Sequence, residues 1–112
     1  MELNISKTGD VITIILKGRI DASVAPDVEQ KLLSLISEGS CKLVADLSEV
    51  GFISSAGLRA LLAAVKEAKR KRGDLRLAGM QGQVQEVLDL TGFSTIFKVY
   101  ACVEDAAQSF SE

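Results

Sequence analysis

Two adjacent hydroxyls, Ser54 and Ser55, stand before Ala56, Gly57 and an apolar run on Leu58, Leu61, Leu62 and Val65. The run has helical spacing, so the serines sit at a helix mouth. A strand ending near Leu47 and a helix beginning near Ser55 make Ser54 the N-cap, its hydroxyl accepting a backbone N–H of the first turn. Ser55 is then the first helical residue, facing outward at the positive end of the helix dipole, a place that suits an anion or an added phosphate. On residue type alone, two serines at a helix start are usually capping residues.

Two acids are candidates for the same neighbourhood. Asp21 follows an apolar segment in "GRID", and Asp46 closes another in "VADLS". If those segments are neighbouring strands, both carboxylates lie near the sheet edge that carries the serine loop, the edge at which open α/β sheets place function. The plainer reading has Asp21 (or Ser23) capping the following helix and Asp46 tying down a turn. The basic run Lys66, Lys69, Arg70, Lys71 and Arg72 reads as a solvated helix C-terminus, where cations offset the dipole. "GMQG" at 79–82 reads as a strand-to-helix link.

The chain contains no histidine, which removes the Ser-His-Asp triad and the usual zinc sites. A serine nucleophile would need Lys or Asp as its base, and no such pairing is visible. There is no Walker loop and no GxGxxG. Cys41 and Cys102 are far apart and form no CxxC, so they read as reduced and buried. The expectation is a binding module rather than an enzyme, with no cofactor and no metal.

These residues need elements to hold them. The chain has 112 residues, 47% hydrophobic and 25% charged, with 13 basic against 15 acidic side chains and a net charge of −2. That is one domain by size, expected to span 1–112, with no basic excess for nucleic acid. No apolar run approaches the length of a membrane span, and "MELNISKTGD" lacks a signal-peptide layout, so a cytoplasmic protein is expected. "ELNIS" alternates as a half-exposed strand, "KTGD" turns, and "VITIILKG" is a central strand, which makes an antiparallel hairpin. "DASVAPDVEQKLLSLISEG" is a helix with Val24, Val28, Leu32, Leu35 and Ile36 on one face. "CKLVADLS" is a strand parallel to the second, and "GFISS" a loop. After the serine helix come a short strand "LRLAG", a helix "QVQEVLDLTG", a possible edge strand "TIFKVY" and a last helix "VEDAAQSF". The order β-β-α-β-α-β-α-β-α predicts an α/β fold, a small mixed sheet with about four helices packed on it.

At "DLSEVGFISSAGLRALLAA" the chain closely resembles STAS domains, in particular bacterial anti-sigma factor antagonists. "GRIDASVAP" and "LRLAGMQGQVQEVLDLTGFSTIFKVYACVEDA" extend the resemblance over nearly the whole chain. The resemblance implies a STAS fold and a switch. A serine kinase that is also the anti-sigma factor phosphorylates a serine at this helix start, the unmodified antagonist binds that kinase and frees a sigma factor, and a PP2C-type phosphatase restores the unmodified form. The family motif is Asp-Ser-(Ser/Thr)-Gly-Leu. Here it reads Ser54-Ser55-Ala56-Gly57-Leu58, so the phosphoacceptor maps to Ser55 and the preceding Asp is replaced by Ser54. The expected partner surface takes in Asp21 to Ser23, Asp46, and Ser54, Ala56, Gly57, Leu58 and Arg59, with Gly57 leaving room for a partner at the helix mouth. A monomer or weak dimer is expected. Other members are unphosphorylated subunits of lipid-transporting ABC complexes or domains of anion transporters.

Overall fold

A computed structural model describes residues 2–111. β1 (Glu2–Thr8) and β2 (Val11–Ile20) form the expected hairpin about Gly9, whose φ of +63° is the left-handed conformation such a turn requires. α1 (Ala25–Ser37), β3 (Lys42–Ile53), α2 (Ser55–Arg70), β4 (Asp74–Ala78), α3 (Gly82–Thr91), β5 (Val99–Tyr100) and α4 (Val103–Gln108) follow. The sheet order is β1-β2-β3-β4-β5, with β1 antiparallel to β2 and the other three pairings parallel. The α/β architecture, a mixed sheet with four helices, is the one the sequence predicts.

Strand alternation divides the core. Ile12, Ile14, Leu16, Leu43, Ala45, Leu75 and Leu77 share one face with the apolar stripes of α1, α2 and α3. Val28, Leu32, Leu35 and Ile36 of α1, and Leu58, Leu61 and Val65 of α2, are buried there at the predicted spacing. Val11, Val44 and Ala78 point the other way and meet Ala106 of α4. Arg76 fastens that second layer: its Nε lies 3.1 Å from Asp74, and its guanidinium stacks 4.0 Å above the Phe110 ring.

Two expectations are corrected. β3 does not end near Leu47, because Gly51–Ile53, expected in a loop, continue the strand. β2 itself runs on to Ile20 and offers partners to Glu49, Val50, Phe52 and Ile53, with register shifts after Ile15 and after Gly18. Ladder hydrogen bonds available at that point outweigh the poor strand propensity of Gly51. The last strand is shorter than "TIFKVY". Phe93–Thr95 form a 3-10 turn that carries Phe97 into the core, and only Val99 and Tyr100 pair with β4.

Candidate functional site

The serine pair lies where β3 hands the chain to α2. Ser54 is the N-cap, in extended conformation, and its Oγ accepts the Gly57 N–H at 3.2 Å. The same hydroxyl donates to the Ile20 carbonyl, which also accepts the Ser54 N–H at 2.9 Å. Ser54 is therefore tied both to its own helix and to the end of β2. Ser55 is the first residue of α2 and is exposed. It opens the helix at its positive pole, where negative charge is stabilised.

Asp21 lies beside this junction, directly after Ile20. It does not cap α1: the N-cap is Val24, with no side-chain hydrogen bond. Pro26 in the first turn lacks an N–H to be capped, and the backbone carbonyl of Asp21 takes the N–H groups of Val24 and Ala25. The Asp21 carboxylate instead accepts both the N–H and the hydroxyl of Ser23, at 3.0 and 2.6 Å. The Ser23 hydroxyl holds the Asp21 carboxyl below its ordinary pKa. Partial burial opposes this shift, and the Ser23 and Val24 N–H groups and nearby Arg19 add to it. Arg19 in turn lies 4.2 Å above the Phe52 ring, across the β2–β3 ladder.

The structure separates Asp46 from this group. Ile15 faces Asp46, whereas Ile20 faces Ile53, which puts roughly 16 Å of strand between the two positions at about 3.3 Å per residue. Asp46 shares a shallow depression with Gly79, Cys102 and Glu104 near the start of α4, and accepts the N–H and hydroxyl of Ser48. The expected meeting of the two acids rested on β3 ending early, and the long strand removes it.

Gly57 and Leu58 are also placed differently. Both are buried, Leu58 with 2% of its surface exposed. A Cβ on Gly57 would lie 2.8 Å from Ile20 Cγ2, from the Ile20 carbonyl oxygen and from Ile53 Cγ1. The missing side chain lets α2 lie against the strand ends rather than making room for a partner. Ala56 and Arg59 do reach the surface. They border an open groove of about 720 Å³ whose other wall is Ala22 and the face of α1 from Ala25 through Glu29 to Ser37. The basic run occupies the far end of α2, from Lys66 at roughly 16 Å to Arg70 at roughly 22 Å along the axis from Ser55 at about 1.5 Å per residue, with Arg70 paired to Glu67.

The sequence marks "GMQG" only as a strand-to-helix link and gives the following Gln83 no role, yet Gln81 and Gln83 support the site. The Gln83 amide accepts the Ile53 N–H at 3.0 Å and donates to the Ile53 carbonyl at 3.2 Å. Gln81 donates to the Ser48 carbonyl at 2.9 Å. β4 pairs with β3 only as far as Asp46, so beyond that point these side chains stand in for a neighbouring strand. Nothing local in the sequence marks them, because the groups they satisfy are about thirty residues away.

Comparison with known proteins places this arrangement. A family model described as STAS domain matches residues 2–106. The Bordetella bronchiseptica protein BtrV, provisionally named an anti-sigma factor antagonist, is 33% identical over 110 residues, covering 98% of this chain and 95% of its own. The anti-sigma-B factor antagonist of Listeria monocytogenes is 31% identical over 90 residues, 80% of this chain and 79% of its own. The crystal structure of an anti-sigma factor antagonist from Mycobacterium paratuberculosis superposes with a TM-score of 0.90 at 25% identity, over 99% of this chain and 94% of that one.

Proposed function

Since the chain belongs to the STAS domain family, and has anti-sigma factor antagonists among its relatives, we propose that it is itself such an antagonist, a protein-binding module switched by phosphorylation of Ser55. Unmodified, it binds a serine kinase that also serves as the anti-sigma factor, and so releases a sigma factor. Phosphorylated, it lets go, and a PP2C-type phosphatase resets it. The observation that carries the reading is the division of labour between the two serines. The Ser54 hydroxyl is engaged by Gly57 and Ile20, while Ser55 is exposed at the mouth of α2.

The partner surface is the ground around Ser55: the Asp21–Ser23 turn, Ala56 and Arg59, and the groove they border. Gly57 and Leu58 support it from beneath, and Asp46 lies outside it. A phosphate on Ser55 brings about −1.5 to −2 charges to a helix N-terminus, where the dipole favours them. Arg59 lies one turn further along the same helix face, within reach of that phosphate. The helix has no reason to unwind, so the switch acts on the surface. A partner that docks there must desolvate or face the new charge, which weakens binding by on the order of one hundred-fold.

The test is incubation with candidate kinases and ATP, followed by mass spectrometry and by calorimetry of both forms against the kinase. One phosphate on Ser55, an unchanged circular dichroism spectrum and much weaker binding are expected. Modification that persists in Ser55→Ala, or a large loss of helix signal on phosphorylation, would contradict the reading.

A further inference from the structure

We infer that Gln83 is a positioning residue for the Ser55 hydroxyl: its side-chain amide acts as a detached piece of β-strand that locks Ile53, and through it the Ser54–Ser55 step into α2. The inference rests on the reading of Ser55 as phosphoacceptor. Beyond Asp46, β3 has β2 on one side and, among the described residues, no strand on the other. Ile53 is 1% exposed, so an unpaired N–H and C=O there would be buried and costly. An amide side chain offers one acceptor and one donor in the spacing of a strand backbone. Gln83 uses both, at 3.0 and 3.2 Å.

The next residue is held from the opposite side, where the Ile20 carbonyl accepts the Ser54 N–H and hydroxyl. The junction is thus gripped between β2 and α3, and the free hydroxyl one residue later inherits its position. Phosphoryl transfer depends on that position, because an in-line attack tolerates little displacement of the nucleophile. Gln83 itself lies outside the partner surface proposed around Asp21, Ala56 and Arg59. Its loss is therefore expected to act on the chemical step rather than on docking.

The experiment compares the wild type, Gln83→Ala and Leu88→Ala. Leu88 is a fully buried residue of the same helix, and its truncation loosens α3 without touching the amide. Two quantities are read below the melting transition: hydrogen exchange at the Ile53 amide, and steady-state phosphorylation of Ser55 by the kinase that modifies the wild type. In Gln83→Ala the Ile53 amide should exchange at least about ten-fold faster, and kcat should fall about ten-fold with KM within about two-fold. Leu88→Ala should lower the melting temperature while keeping the Ile53 amide protected and kcat near wild type. Unchanged exchange or unchanged kcat in Gln83→Ala would overturn the inference, as would an equal fall of kcat in Leu88→Ala. A wild type that takes no phosphate on Ser55 would instead defeat the reading of the site, and this inference with it.

Discussion

Gly57 of α2 lies directly against Ile20 at the end of β2, so close that a Cβ on the glycine would meet both the Cγ2 and the carbonyl oxygen of Ile20 at 2.8 Å. That carbonyl is also the acceptor for Ser54, so the contact that brings the helix to the sheet and the bonds that hold its first turn share one atom. Gly57→Ala should force the two apart and cost about 1–3 kcal/mol. Chemical denaturation checks this. A variant as stable as the wild type would mean that α2 can slide outward freely.

The two serines should separate cleanly by mutation. Ser54→Ala removes the cap and the hydroxyl's bond to the Ile20 carbonyl, leaving the backbone bond to the same oxygen, and a loss of about 1 kcal/mol or somewhat more is expected. Ser55→Ala removes an exposed hydroxyl and should change stability by less than about 0.5 kcal/mol, while abolishing phosphorylation. Paired denaturation curves and mass spectra of the two variants show whether the roles are divided in this way.

Arg72 closes α2 in the left-handed conformation, with φ of 68°, while Gly73 follows it and donates to the Ala68 carbonyl. Glycine is favoured at the left-handed position, but here it is Gly73 that cannot be replaced, since a Cβ there would run into the Cys41 backbone. Arg72→Gly relieves about 1 kcal/mol of backbone strain, and the greater freedom of the unfolded chain takes back part of it. A net gain of roughly 0.5 kcal/mol is expected as a higher denaturation midpoint. Gly73→Ala should instead be strongly destabilising.

The Asp21 carboxyl is held below its ordinary pKa chiefly by the Ser23 hydroxyl, and Asp10 chiefly by its hydrogen bond and attraction to Lys42. With folded-state values depressed, the unfolded chain takes up these protons first. The stabilisation is therefore complete above the ordinary carboxylate range, about pH 4, and is lost as the pH falls through the folded values. Melting temperatures should be level near neutrality and fall below about pH 4, with a shallower acid limb in Asp21→Asn. Raised salt should weaken the exposed Asp10–Lys42 pair and leave the hydroxyl-held Asp21 largely unaffected.

Much of this fold is written in short-range pattern. The helix faces of α1 and α2 were legible because apolar residues recur at helical spacing. The cap at Ser54 was legible for a similar reason: a hydroxyl before an apolar helix satisfies an N–H two or three residues on, entirely within one window of sequence. The exposed place of Ser55 then follows from that of Ser54. What tertiary structure alone decided is where distant segments meet. The reach of β3 to Ile53 depends on β2 continuing beside it through two register shifts, and no local pattern announces a shift. That reach moved Asp46 away from Asp21, turned Gly57 from an opening for a partner into a packing contact with Ile20, and left an unpaired strand edge for Gln83 to fill. Each outcome is fixed by the need to pair or pack groups separated by some thirty residues. Residue type and spacing within a window carry no record of that need.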